Sequence, residues 1–143
     1  MTTVAYRHGI MAADTRMIQG SAIIGDFVKI VRRKDGVLAG AAGDAGWAQA
    51  FHRWFLDGEK GDYPMLEENS KGVIVRGRRK QVEMLEQGGW IIFKPPFFAM
   101  GSGKEFALGA MAQGATAEQA VDVAMRFDPG SGGQIMVLRH DEA

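Results

Sequence analysis

Cysteine is absent from the 143-residue sequence, and long apolar runs are absent as well. Without a thiol, the chain cannot form disulfides, use a thiolate nucleophile or bind zinc through cysteine. No apolar run approaches the ~20 residues that a membrane span needs, and the start lacks the basic and apolar regions of a signal peptide. We therefore expect a cytoplasmic protein with no membrane partner.

The sequence also has no excess of charge, since 17 lysine and arginine residues balance 17 aspartate and glutamate residues. The field of the whole molecule thus gives no reason to expect a nucleic-acid partner. The three histidines, His8, His52 and His140, show no ligand spacing, so the sequence predicts no metal site. Length and an apolar content of 46% indicate one globular domain over residues 1–143.

Two common catalytic motifs are incomplete. Gly101–Lys104 is similar to the end of a phosphate-binding loop, but Phe98 and Glu105 stand where that motif requires a glycine and a hydroxyl residue. No serine lies in the GxSxG elbow typical of one class of Ser-His-Asp hydrolases. The sequence therefore predicts neither a nucleotide nor another cofactor.

The first seventeen residues carry the most informative chemistry. Thr2–Tyr6 is β-branched and aromatic, a turn signal follows, and Ile10–Ala13 is an apolar return strand that ends on Asp14. If Met1 is removed, Thr2 carries both a hydroxyl and a free α-amine. An α-amine titrates near ~8, so it can act as general base to its own hydroxyl at neutral pH. The alternative at this point is a Met-Thr start that merely begins an edge strand.

The next predicted β structure begins at Phe27. Positions 20–25 form a short apolar stretch between glycines, and Phe27–Val31 resumes a strand pattern in which Lys29 is the only charge. The Asp-Gly pair at 35–36 is a strong hairpin signal, which predicts that Val37–Ala39 pairs back. The first forty residues should therefore contain two hairpins.

A helix is predicted from Ala45 to Leu56, after the glycine-rich segment Ala39–Asp44. Four aromatic residues with helical spacing lie on one face of it: Trp47, Phe51, Trp54 and Phe55. A face this heavy is typical of a core contact. The glycines and charges from 57 to 69 predict a loop.

The second half continues with strands and helices. Strands are predicted at 71–76, 81–85, 90–93 and 134–138, and helices at 103–113 and 117–127. Capping-box spacing at Ser102 and Glu105, and again at Thr116 and Gln119, predicts where the two helices begin. This order of elements favours an α+β domain with helices on the faces of sheets.

Six short segments, spread over nearly the whole chain, form one constellation. They are Thr2–Ala5, Ala12–Asp14, Lys29–Arg33, Ala39–Asp44, Ala99–Gly103 and Arg126–Gly132. In this order they resemble the proteasome β-type and HslV peptidase family of N-terminal-nucleophile hydrolases. The resemblance implies a four-layer αββα sandwich, in which two antiparallel sheets lie between layers of helices.

The resemblance also implies that Thr2 is the nucleophile, with Asp14 and Lys29 as a charged pair beneath it. A lysine within a few ångströms disfavours protonation of the α-amine and so lowers its pKa. The carboxylate beside that lysine keeps it charged and oriented.

Two further sets of groups follow from the same resemblance. The oxyanion donor would be the backbone N–H of Gly43, with Gly40 as the second choice, and loss of such a donor costs ~3 kcal/mol. The residues expected around the α-amine are Ser102, Asp128 and Ser131.

The sequence departs from the family at three places. The loop at 57–69 stands where the family has a second long helix, the chain ends soon after Leu138, and only Met1 precedes Thr2. These departures predict a shortened member whose activation requires an aminopeptidase. By resemblance, the substrate is a peptide or unfolded protein, the assembly is a homo-oligomeric ring or stack of rings, and an ATPase is a candidate partner.

We interpret the chain as a threonine-type peptidase or amide hydrolase that uses mature Thr2. One alternative is a non-catalytic assembly or interaction protein that keeps the fold with Met1 attached, and another is a small-molecule amidase. The state of Met1 separates the first two, because a retained Met1 makes the nitrogen of Thr2 an amide without basicity.

Overall fold

The structure is a computed structural model that describes residues 1–66 and 69–141. Within these residues it is an α+β protein with three helices and three sheets, as the order of predicted elements indicates. The strands are β1 (Val4–Arg7), β2 (Ile10–Ala13), β3 (Arg16–Gln19), β4 (Ala22–Asp26), β5 (Ile30–Arg32), β6 (Leu38–Ala42), β7 (Lys71–Val75), β8 (Val82–Glu86), β9 (Gly89–Phe93), β10 (Phe98–Met100) and β11 (Met136–Arg139). The helices are α1 (Ala45–Leu56), α2 (Lys104–Ala112) and α3 (Ala117–Phe127). None of the helices in the described part of the chain is long and apolar enough to cross a membrane.

Every strand pair is antiparallel. A four-stranded sheet has the order β10-β1-β2-β11, a five-stranded sheet has the order β5-β6-β7-β8-β9, and β3 and β4 form a separate hairpin. In the four-stranded sheet, Val4 pairs with Ala13 on one side and with Met100 on the other. The residues just before Val4 and just after Ala13 therefore meet at one end of this sheet.

Three apolar clusters hold these elements together. The first lies between the four-stranded and five-stranded sheets, the second between the five-stranded sheet and α1, and the third between the four-stranded sheet and α2 with α3. Fully buried members of the first cluster include Val4, Met11, Ile30, Leu38 and Val73. Each such side chain stabilises the fold by roughly 1.5–3 kcal/mol relative to exposure. The first cluster therefore fixes the two large sheets against each other close to Thr2.

Helix α1 begins and ends where the sequence predicts. Asp44 is its N-cap, and the Asp44 carboxylate accepts a hydrogen bond from the Gly46 N–H at 3.1 Å. Trp47, Phe51 and Phe55 are buried against the five-stranded sheet, so the predicted aromatic face is a core contact.

The loop predicted after α1 is also confirmed where the structure describes it. Residues 57–66 and Asn69 lie outside helices and strands, and positions 67–68 of the predicted loop lie outside the described residues. The segments predicted at 71–76, 81–85 and 90–93 are strands β7, β8 and β9, each within one or two residues.

The prediction of a capping box at Ser102 is wrong. Helix α2 begins at Lys104 with Gly103 as its N-cap, and no side chain in the described part of the chain caps it. The hydroxyl of Ser102 instead donates to the Asp128 carboxylate at 2.7 Å. The second predicted capping box is confirmed, because Thr116 and Gln119 bond reciprocally at the start of α3.

The β structure between Arg16 and Arg32 differs from the prediction. Segment 20–25 belongs to a third hairpin, β3–β4. Its second strand is exposed throughout, so the sequence has no alternation of apolar and polar residues that would mark it. Of the next predicted strand, Phe27–Val31, only Ile30 and Val31 lie in a strand, β5, which extends to Arg32. Phe27 donates its N–H to the Thr15 carbonyl at 2.9 Å instead of to a neighbouring strand of a sheet.

The last strand is shifted by two residues from its predicted start. It runs from Met136 to Arg139, and Gln134 precedes it. The Thr15 hydroxyl donates to the Gln134 carbonyl at 2.7 Å, so this residue bonds a side chain and not the sheet.

Candidate active site

Four buried polar residues meet at the end of the four-stranded sheet. Thr2 and Thr3 precede β1, Asp14 follows β2, and Lys29 precedes β5. Their exposed fractions are 2%, 0%, 0% and 1% in that order. Because β1 and β2 are paired, the Asp14 N–H reaches the Thr3 carbonyl at 3.2 Å. Two sheets therefore contribute to a single polar cluster inside the core.

The Lys29 ammonium and the Asp14 carboxylate form the ion pair that the sequence predicts. Lys29 Nζ lies 2.9 Å from Asp14 Oδ2, and neither side chain has exposed surface. The ammonium also donates to the Met1 carbonyl at 3.3 Å. Burial lowers the pKa of Lys29, while the charge of Asp14 opposes that shift. The pair therefore lies beside the N-terminal residues, as expected.

Asp14 is fixed by backbone donors as well as by Lys29. Its Oδ1 accepts from the Thr3 N–H at 2.9 Å. Its Oδ2 accepts from the N–H groups of Gly132 at 3.0 Å and Arg16 at 3.3 Å. A carboxylate with this many donors is held in one orientation, which in turn orients Lys29.

Thr2 is bonded through both its nitrogen and its hydroxyl. The N–H donates to Ser102 Oγ at 3.1 Å, and Oγ1 donates to the Met1 carbonyl at 2.6 Å. The Ser102 hydroxyl in turn donates a hydrogen bond to Asp128 Oδ2 at 2.7 Å. A chain of hydrogen bonds thus runs from the Thr2 nitrogen through Ser102 to a carboxylate.

Ser131 joins this chain to Thr3. Ser131 Oγ donates to Asp128 Oδ2 at 2.7 Å and lies 2.7 Å from Thr3 Oγ1. Since the one hydroxyl hydrogen of Ser131 is directed at Asp128, the Thr3 hydroxyl is the donor in the second bond. Burial alone raises the pKa of Asp128, but hydrogen bonds from Ser102, Ser131 and the Gly130 N–H outweigh it and hold that pKa below its usual value.

The two glycines predicted as oxyanion donors lie in different surroundings. Gly43 follows β6 with φ of +110° and lines the cavities beside Thr2. A side chain there would collide with the carbonyl oxygen of Asn69, 2.6 Å from the Cβ position. Gly40 lies inside β6, where it pairs with Ile30 and Val73, and it lines neither cavity. Of the two, Gly43 is the one beside Thr2.

Two cavities flank Thr2, and both are lined by Met1, Thr2 and Gly43. The first, here called the sheet cavity, has a volume of about 470 Å³ and is also lined by residues of both large sheets and by Ser102. The second, called the hairpin cavity, has a volume of about 240 Å³ and is lined by the β3–β4 hairpin and Phe27. Thr2 therefore has one cavity on each side.

Sequence reasoning missed two members of the site. Thr3 bonds Asp14 and Ser131, yet in the sequence it is one more β-branched residue at the start of a strand. Arg16 donates to the carbonyls of Pro129 and Ser131 at 3.3 and 3.4 Å. The pairing of β2 with β11 sets Ala13 opposite Met136, and this places the residues after Asp14 beside the turn at 128–132 that precedes β11. Among residues 1–66 and 69–141, no three His, Asp or Glu side chains form a group that could hold a metal ion.

Neither a protein-family model nor a curated protein sequence matches the chain. Solved structures do. The chain is similar to Thiobacillus denitrificans BPH in complex with epoxomicin, with a TM-score of 0.67 and 20% identity. A second structure of Thiobacillus denitrificans BPH gives a TM-score of 0.64 and 21% identity. Each similarity covers 99% of both chains, and at this identity it shows a common fold alone.

Proposed function

We propose that this protein is a shortened member of the proteasome β and HslV family, and that mature Thr2 hydrolyses a peptide or other amide bond. The observation that carries the proposal is the hydrogen-bond chain from the Thr2 nitrogen to Ser102 and Asp128, set above the buried pair of Lys29 and Asp14. Burial of an ammonium costs desolvation free energy that an apolar side chain would not cost. The Lys29 ammonium lies beside Thr2, which carries both a hydroxyl and an α-amine once Met1 is removed, and this position favours a catalytic role.

The proposed fold is the four-layer αββα sandwich of that family. The three apolar clusters support it, because they lie between α1 and the five-stranded sheet, between the two large sheets, and between the four-stranded sheet and the other helices. The similarity to a protein solved with epoxomicin supports the choice of that compound as a probe.

In the proposed reaction, the free amine of Thr2 takes the hydroxyl hydrogen as Oγ1 attacks the substrate carbonyl. The nearby Lys29 ammonium disfavours protonation of that amine and keeps it available as a base. The Gly43 N–H stabilises the oxyanion. The C–N bond then breaks, the leaving amine receives the proton from the Thr2 ammonium, and an ester remains on Oγ1. A water molecule, activated by the same amine, hydrolyses the ester.

Removal of Met1 would change more than the charge of the nitrogen. The Met1 carbonyl accepts the hydroxyl hydrogen of Thr2 and one hydrogen of the Lys29 ammonium. Without that carbonyl, both groups are free to face a substrate. The form with Met1 attached is, in this proposal, the precursor.

The same contacts favour a second candidate, a non-catalytic assembly or interaction protein that retains Met1. The Met1 carbonyl is held by two donors at 2.6 and 3.3 Å, so the residue has a defined place in the fold.

For the hydrolase we propose peptide or unfolded-protein substrates, a homo-oligomeric ring and an ATPase partner. A small-molecule amide is the alternative substrate.

The first test compares Thr2→Ala with Thr2→Ser in protein whose Met1 has been removed, confirmed by intact mass. We expect Thr2→Ala to lower hydrolysis of a peptide panel by roughly 10³-fold or more, because it removes the nucleophile. Thr2→Ser keeps a hydroxyl and an amine on the first residue, so it should retain activity. Both variants should unfold at the wild-type urea midpoint within the error of measurement.

Epoxomicin gives a second readout that does not depend on the choice of substrate. A peptide epoxyketone reacts with a hydroxyl and an amine on one residue, so it should add its mass to the Thr2 peptide of the mature protein and not to Thr2→Ala. Unchanged hydrolysis by Thr2→Ala would contradict the nucleophile assignment. Retention of Met1 in the native host, together with no adduct, would leave the assembly protein as the function.

A further inference from the structure

The sheet cavity beside Thr2 has an apolar interior. Its walls include Ala42 of β6, Met84 of β8, and Phe98 and Met100 of β10, so it enters the gap between the two large sheets. Ala42, Phe98 and Met100 are less than 10% exposed. Methionine side chains adapt their shape to a partner, which suits a cavity that receives an apolar side chain of variable form. At about 470 Å³ the cavity has room for an aromatic ring.

The mouth of the same cavity is basic. Lys71 and Lys104 line it with side chains 41% and 46% exposed, and none of the described residues that line it is acidic. Lys71 Nζ lies 3.4 Å from Glu86 Oε1, and Lys104 Nζ lies 3.8 Å from Glu105 Oε1. Ion pairs of this exposure are weak. The mouth therefore retains attraction for a carboxylate that arrives with an apolar group.

The position of Ser102 indicates which part of a substrate enters this cavity. Ser102 bonds the Thr2 nitrogen and lines the sheet cavity, whereas it does not line the hairpin cavity. In the proposed reaction the leaving amine takes its proton from that nitrogen. The leaving-group side of the substrate must therefore lie on the Ser102 side, above the sheet cavity.

We propose that the sheet cavity binds the residue after the scissile bond, and that it selects an apolar side chain followed directly by a carboxylate. This inference rests on the proposed hydrolase function for its orientation, but the binding itself does not require turnover. The carboxylate is either the acidic side chain of the next residue or the terminal carboxylate of a short leaving group. Met84 and Met100 make the apolar contacts with the bound side chain, and Lys71 and Lys104 attract the carboxylate that follows it.

Binding is tested by NMR of the methionine methyl groups, labelled with ¹³C, in mature protein. The four probes are Phe-Glu amide and Phe-Gly, which carry a carboxylate, and Phe-Gln amide and Phe-Gly amide, which do not. Met84→Leu and Met100→Leu assign the two reporter signals and conserve side-chain volume. We expect these two signals to shift, with an affinity about fivefold higher for the carboxylate probes at low salt. A comparison of Phe-Glu amide with Phe-Gly separates the side-chain and terminal sources of the carboxylate.

The double variant Lys71→Gln/Lys104→Gln should reduce the fivefold preference to less than about twofold, since both charges are removed. Lys80→Gln is the matched control, because Lys80 is exposed and does not line the cavity, and it should keep the full preference. Equal affinity for all four probes, or no shift of either reporter signal, would overturn the proposal.

Hydrolysis of quenched peptides that differ only as these probes do gives the matching kinetic result. We expect kcat/KM to be about fivefold higher when the residue after the scissile bond is Phe followed by Glu instead of Gln, and this ratio should fall as salt is added. Shifts of the reporter signals without any hydrolysis or epoxomicin adduct would refute the hydrolase and keep the cavity. Hydrolysis without discrimination by charge would refute the cavity preference and keep the hydrolase.

Discussion

Lys29 and Asp14 depend on each other because neither side chain has exposed surface. The ammonium has two acceptors, the carboxylate and the Met1 carbonyl, whereas the carboxylate has three backbone N–H donors besides Lys29. Loss of one partner leaves a buried charge that the other groups compensate only in part. In the proposed hydrolase, stability and catalysis are therefore coupled at this pair.

We predict that Lys29→Met and Asp14→Asn each lower the free energy of unfolding by roughly 3 kcal/mol, because each leaves one charge without its partner. The double variant should lose less than the sum of the two, since no buried charge remains. Urea denaturation of the four proteins measures this cycle, and the proposed hydrolase should lose turnover in all three variants.

An exposed ion pair serves as the control for this cycle. Arg126 and Asp122 bond at 2.7 Å on the surface of α3, so Asp122→Asn should change stability by less than about 0.5 kcal/mol. Additive losses for the Lys29 and Asp14 variants would show that the two groups are not coupled.

At this scale the sequence reveals residues whose type conflicts with their surroundings. Lys29 could be predicted because a charge among apolar neighbours needs a partner, and Asp14 ends the adjacent hairpin. Thr3 could not, because a threonine at the start of a strand is expected whether or not its hydroxyl bonds Ser131. Only the register of the sheet distinguishes the two cases.

Among the elements, α3 carries one side of the site, because Asp128 follows its last residue directly. Its N-terminus is fixed by the reciprocal bonds of Thr116 and Gln119, at 3.1 and 2.9 Å. The helix is further held by Val121 and three buried alanines against the four-stranded sheet. The position of the Asp128 carboxylate thus depends on how firmly α3 is packed.

We predict that Thr116→Ala destabilises the protein by about 1 kcal/mol, because it leaves the Gln119 N–H without its side-chain acceptor. Thr116→Ser keeps the hydroxyl and should stay within about 0.5 kcal/mol of wild type. Urea denaturation compares the three proteins. Equal stability of Thr116→Ala and wild type would mean that the capping box does not contribute.

Elements with a buried face could be predicted from sequence, and elements without one could not. Helix α1 was placed correctly because its aromatic residues recur at helical spacing. The β3–β4 hairpin was missed because β4 is exposed along its whole length, with Ile23 at 62% and Ile24 at 50%. The Ser102 capping box was predicted wrongly, since local spacing carries no information on the distant Asp128 that bonds the hydroxyl.

For the molecule as a whole, His52 couples stability to pH. It is 6% exposed on α1, and its Nε2 has no hydrogen-bond partner among the described residues. Burial lowers its pKa from 6.5 to about 4, and the nearby Lys29 carbonyl opposes this only in part. The folded state therefore disfavours the charged imidazole.

We predict that the free energy of unfolding falls as pH is lowered from about 6.5 to about 4. In that window the unfolded chain binds a proton at His52 that the folded chain does not, and the loss reaches roughly 3 kcal/mol at most. At lower pH, protonation of Asp128 also lowers the free energy of unfolding. Its lowered pKa contributes stability that is lost as the carboxylate is protonated. Urea denaturation across this pH range measures the slope.

The variant His52→Leu removes the titrating group and should flatten the slope between pH 6.5 and 4. His8→Asn is the control, because His8 is exposed in a turn with φ of +53°, a conformation that asparagine tolerates. It should retain the wild-type slope. A slope that survives in His52→Leu would assign the effect to other groups.

Gly101 limits how the sheet cavity beside Thr2 can be altered by substitution. Its φ is +99°, and the carbonyl carbon of Thr2 lies 2.7 Å from the position that a Cβ would take, so any side chain there would displace Thr2, the proposed nucleophile. Met84 and Phe98, by contrast, line the sheet cavity from strands whose backbones are fixed by pairing with neighbouring strands. A laboratory evolution library that varies positions 84 and 98 can therefore reshape the cavity without moving Thr2, whereas one that varies position 101 mostly displaces Thr2.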